Sequence, residues 1–148
     1  SEAHQRTPKN GIQFDNLSGE RDYDAWKMYG QSKLANLLFA RELARRFQDD
    51  ATNRVANAVH PGVINTNLAR HLNSLIAGAL KVVEPLFLKS IPQGAATQTF
   101  VAVHPKAAEH NGEYFADCNV SESSEAGRDM QLAERLWEES ERIVEEVT

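Results

Sequence analysis

Two side chains of this 148-residue sequence are spaced to move a proton together. In Tyr29-Gly30-Gln31-Ser32-Lys33 a phenol and an ammonium stand at i and i+4, so on a helix they share one face. A free phenol, with a pKa of about 10, is a poor acid or base at neutral pH. A cation close by favours the phenolate. Such a pair can give a proton to, or take one from, a carbonyl or alcohol oxygen. The spacing alone is weak evidence, because an ordinary surface helix produces it by chance. Its meaning depends on what the helix leads to.

The pair opens an apolar segment. Leu34, Leu37, Leu38, Leu43 and Phe47 recur at helical spacing and predict a helix over about residues 24–47, with Arg41, Arg45 and Arg46 in the last turns, where cations suit the dipole. Before it, residues 1–28 are polar and rich in turn formers and read as a long loop. After it, residues 55–59 form a short apolar run that ends at His60-Pro61-Gly62, as a buried parallel strand would. Residues 66–80 have weak helical character, and Pro85 and Pro92 bracket a connection. A small-residue helix is expected over 93–103, a second strand over 113–116 after the turn Asn111-Gly112, and a last helix over 124–147. In that helix Leu132, Leu136, Trp137, Ile143, Val144 and Val147 make one stripe. Helices alternating with buried strands mean a parallel α/β layer architecture. Two strands cannot make a parallel sheet covered on both faces, so further strands are expected upstream of Ser1.

Composition agrees with one soluble domain: 41% of residues are hydrophobic and 25% charged. No run approaches the roughly 18 apolar residues of a membrane span, so none is expected in this segment. The net charge of -5 gathers at the end, where nine acidic residues face three arginines from Ser121 onward, a solvated helix face. No basic stripe suggests nucleic acid. One cysteine, Cys118, excludes an internal disulfide and leans intracellular, with the cytoplasm the expected compartment. Cys118 reads as a small residue ending a strand, and the histidines lack ligand-like spacing, so no metal is expected. The chain begins at Ser1 without a Met and reads as a piece of something longer.

The string Tyr29-x-x-Ser32-Lys33, followed after a helix and a strand by Pro61-Gly62-Val63-Ile64-Asn65-Thr66, resembles the short-chain dehydrogenase/reductase family. Residues 29–47 (YGQSKLANLLFARELARRF), His60-Pro61-Gly62, Gln93-Gly94-Ala95, Gly112-x-Tyr114-Phe115-x-Asp117-Cys118 and Arg135-Leu136-Trp137 are similar to its retinol-dehydrogenase-like branch. The resemblance covers essentially the whole chain. It implies an NAD(P)-dependent oxidoreductase in which Tyr29 transfers the proton, Lys33 favours the phenolate and bonds the nicotinamide ribose, and a serine polarises the substrate carbonyl. Ser1, in Ser1-Glu2-Ala3-His4, matches the branch's Ser-x-Ala-His string; Ser18, nearer Tyr29, is the rival. The turn at Pro61 and Gly62, the Ile64 backbone and the Thr66 hydroxyl would hold the carboxamide. The branch favours NADP(H) over NAD(H).

The implied fold is the C-terminal half of a Rossmann-type doubly wound parallel sheet, three-layer α/β/α, with residues 1–148 as the catalytic and substrate half of one domain. The dinucleotide-binding half is absent: the eight glycines never form a Gly-rich phosphate turn, so these residues alone are expected to be inactive. The apolar segment 67–91 is the expected substrate lid and suggests a lipophilic carbonyl or alcohol. A homodimer through the Tyr29 helix fits the family. The alternative is a truncated, catalytically idle piece serving at most as an interaction module.

Overall fold

The computed structural model describes residues 2–5, 7, 11–50, 53–64 and 88–148. Helix α1 runs from Ala25 to Asp49, close to its expected span. Asp24 starts it: its carboxylate accepts the Trp26 and Lys27 N–H groups, each at 3.0 Å, which closes the first turn. The bond from Lys27 leads in holding that carboxyl below the usual carboxylate range. Leu34 and Leu38 on α1 are fully buried, packed on Ile12 from the preceding loop and on Ala133 of helix α3 (Met130–Val147). Each such leucine contributes about 1.5–3 kcal/mol by leaving water.

The three arginines have tasks more particular than offsetting a dipole. Glu42 is fully buried, and Arg45 grips both of its oxygens, at 2.7 and 2.9 Å, while Arg46 adds a third bond at 2.8 Å. Arg41 instead reaches out of the helix and donates to the carbonyls of Gly112, at 3.1 Å, and Gly127.

The sheet consists of β1 (Ala58–His60), β2 (Tyr114–Ala116) and β3 (Asn119–Val120), in that order. β1 and β2 are parallel, with Ala58 opposite Tyr114 and His60 opposite Ala116. β2 and β3 are antiparallel, which adds a hairpin edge to the expected parallel pair. Cys118 does not end a strand. With Asp117 it forms the two-residue hairpin turn, both at positive φ (51° and 61°), a conformation usually signalled by glycine or asparagine. β1 also starts three residues later than expected, because Ala56 and Asn57 bond to the 110–113 turn: Ala56 N–H to the Asn111 side chain, and Asn57 to His110 O and Glu113 N.

Helix α2 spans Ile91–Val103 and begins two residues before the expected start. Ser90 and Gln93 form a reciprocal capping box, so Pro92 lies inside the first turn, where its missing N–H costs nothing. Likewise α3 starts at Met130, not near Ser124: Asp129 caps it, and Ala126–Arg128 is a separate 3-10 turn. Successive β2 residues face opposite sides. Tyr114 meets the rings of His4 and His60 on the α1 side, and Phe115 meets Phe100 of α2 on the other, which gives three layers. Among the described residues no helix is long and apolar enough to cross a membrane. Ser1, Thr66, the helix expected over 66–80 and most of the 67–91 segment lie outside the described residues.

Candidate active site

A cleft of about 450 Å³ opens between α1 and the C-terminal end of β1. One wall is a single stripe of α1: Tyr29, Lys33, Asn36 and Ala40, at i, i+4, i+7 and i+11. The opposite wall is the chain from Asn57 to Gly62, and His4 and Tyr114 also line the cleft. The walls are held at a fixed separation. Asn111 accepts the N–H of Ala56 at 2.9 Å and donates to Ala44 O of α1 at 3.0 Å, so one side chain ties the helix to the start of β1. Arg41 ties the same helix to the turn before β2.

Tyr29 is 45% exposed, and the Lys33 ammonium lies 5.2 Å from the centre of its ring. The i, i+4 pair is therefore adjacent, as its spacing predicts, and opens onto solvent through the cleft. The arrangement can present a phenol and a cation to a small molecule entering there.

The turn after β1 is shaped by its glycine. Gly62 has φ +88°, where a side chain is disfavoured, and it lines the cleft with Pro61. Ile64 does not line the cleft. Its side chain packs onto Gly94 of α2, where an added Cβ would land inside it. Val63 O accepts the Lys89 N–H at 2.8 Å in an isolated parallel bridge, and strand alternation turns Ile64's own N–H and C=O to the opposite edge. Of the two serines, Ser18 is exposed and outside the cleft. Ser1 lies beyond the described residues, but His4, three positions after it, is buried at the cleft and accepts the Ser124 N–H at 3.1 Å through Nε2.

The sequence assigns no site role to His4, Asn36, Asn57 or Tyr114, although His4 and Tyr114 belong to the motifs that carry the family resemblance. Asn36 was readable, since i+7 from Tyr29 returns to the same helix face. Tyr114 and His4 reach the cleft only through tertiary pairing, which carries no local signal. The residues present fit the nicotinamide-ribose end of a dinucleotide: Lys33 brings donors for ribose hydroxyls, and the Pro61–Gly62 turn lines the cleft beside it. No Gly-rich phosphate turn accompanies them in this sequence.

Fold and cleft together define a class, an α/β protein whose site lies at the carboxyl end of a parallel strand. No family model matches the chain. Curated relatives do. It is 46% identical over 143 residues to the short-chain dehydrogenase TIC 32 A, chloroplastic, of Brassica napus, covering 97% of this chain and 44% of that protein. To human retinol dehydrogenase 14 it is 39% identical over 135 residues, covering 90% and 40%. To mouse retinol dehydrogenase 12 it is 42% identical over 126 residues, covering 85% and 39%. A crystal structure of an uncharacterised protein from Mycobacterium paratuberculosis superposes with a TM-score of 0.65 at 28% identity, over 98% of this chain and 48% of that one. The chain belongs to the short-chain dehydrogenase/reductase family, and matches a C-terminal part of its retinol-dehydrogenase-like branch. It spans less than half the length of these relatives.

Proposed function

We propose that the chain is the catalytic half of an oxidoreductase that moves a hydride between a nicotinamide and the carbonyl or alcohol carbon of a lipophilic substrate. The observation that carries this reading is the shared cleft of Tyr29, Lys33, Pro61 and Gly62. When bound, the nicotinamide supplies or takes the hydride. Tyr29 gives its phenolic proton to the substrate oxygen on reduction and takes it back on oxidation. Lys33 holds its cation beside the phenol and donates to the ribose hydroxyls. Pro61 and Gly62 line the slot for the carboxamide, with the Ile64 backbone and the Thr66 hydroxyl as its hydrogen-bonding partners. Ser1 holds the substrate oxygen; the placement of His4 at the cleft supports it over Ser18. NADP(H) is favoured over NAD(H) by likeness to the branch.

Replacing Tyr29 by Phe in the complete gene product removes only the transferable proton. Turnover is expected to fall at least about 100-fold, with nucleotide affinity kept within about threefold. A Tyr29→Phe protein with about a tenth or more of normal turnover rules the proton role out.

A further inference from the structure

The turn from Pro61 to Ile64 is gripped by a side chain outside the cleft. Lys89 immediately precedes the Ser90 cap of α2. Its N–H donates to Val63 O at 2.8 Å, so its backbone is fixed beside the turn. Its aliphatic stem then crosses Gly62: a Cβ added there would stand 2.6 Å from Lys89 Cδ and 2.8 Å from Cε. Beyond Gly62 the ammonium pairs with the carboxylate of Asp117 in the β2–β3 turn. Lys89 is 30% exposed in its side chain, although its charge is at the surface, because the stem is covered by the turn it crosses. Ile64, one residue beyond Val63, is packed into the gap left by Gly94. The turn is thus held by backbone, by stem and by an ion pair to a different element.

We propose that Lys89 and Asp117 are positioning residues for the cofactor. They form a strap from the β2–β3 hairpin across Gly62 that fixes the wall of the cleft receiving the nicotinamide end. This rests on the functional reading given above. Neither residue lines the cleft, so the strap acts only through the turn. Gly62 serves twice: it permits the φ of the turn and leaves the channel for the stem.

The test is titration of the complete gene product with NADPH, followed by nucleotide fluorescence, with Lys89→Met, Asp117→Asn, the double variant and Lys89→Arg. Methionine keeps the stem and removes the charge. Each single loss is expected to weaken NADPH binding about threefold, the scale of an exposed ion pair. The double variant is expected to lose no more than either single one, because one strap can be cut only once. Lys89→Arg is expected to stay within about twofold of the unaltered protein. The Tm of every variant and kcat at saturating nucleotide are expected to be unchanged, which separates positioning from general stability. Unaltered affinity in Lys89→Met, additive losses in the double variant, or losses that track a falling Tm each overturn the strap while leaving the oxidoreductase reading in place. An unaltered protein that binds neither NADPH nor NADH overturns both.

Discussion

Tyr29 and Lys33 were legible because a helix repeats its faces every 3.6 residues, so a spacing of four is already a statement about geometry. The cleft adds what the spacing lacked, a wall opposite them. Lys33 is assigned two tasks, beside the phenol and at the ribose, and a two-task residue makes a distinctive prediction. Lys33→Ala in the complete gene product should lower turnover and weaken nucleotide binding together, each by about tenfold or more. Unchanged nucleotide affinity in that variant would remove the ribose role. The serine assignment separates just as cleanly. Ser1→Ala should cut turnover at least about 100-fold, while Ser18→Ala, outside the cleft and exposed, should leave it within about twofold. If Ser18 is the damaging position, the Ser-x-Ala-His alignment is wrong. The motifs contain His4 and Tyr114 but not their place at the site, since only the pairing of β2 beside β1 and the docking of the 2–5 turn bring them there.

At the scale of elements, the starts of helices were less legible than their faces. Asp24 sits where a cap belongs and α1 follows at once, whereas the Ser90/Gln93 capping box was obscured by Pro92. Strand β3 was invisible because Asp117 and Cys118 take left-handed backbone without glycine. Burial of Glu42 was also unreadable: a glutamate on a charged helix gives no sign that two arginines enclose it. That enclosure predicts a pH dependence. Arg45's hydrogen bonds, ahead of Arg46's, hold the Glu42 carboxyl below its usual range. A depressed carboxyl stabilises the fold fully above its unfolded value of about 4.3, and the contribution is lost as pH falls through the folded value. Glu42→Gln should therefore cost about 1–2 kcal/mol at pH 7, a figure reduced because both arginines are partly open to water. The cost should shrink below about pH 4. Urea unfolding of the complete gene product at pH 7 and pH 3 measures this, and an equal cost at both would contradict it.

At the scale of the whole molecule, the order helix, strand, helix, helix, strand, helix announced an α/β layer, and the described residues form three layers. What the order could not announce was the mixed hairpin edge, which ties the β1 turn to β2 through Asp117 and Lys89. The 148 residues span less than half of the relatives they match, and in the function proposed above they supply the proton-handling side of the cleft. Hydride transfer is the central step of the proposed function. The most direct measurement gives the complete gene product NADPH carrying deuterium at C4, or the same label in NADH, together with long-chain aldehydes and bulky lipophilic ketones, and reads the alcohol by mass. One deuterium on the carbinol carbon, lost with Tyr29→Phe, is the result expected. Nucleotide binding without label transfer to any of these carbonyls would contradict the account and leave Tyr29 and Lys33 as an idle pair.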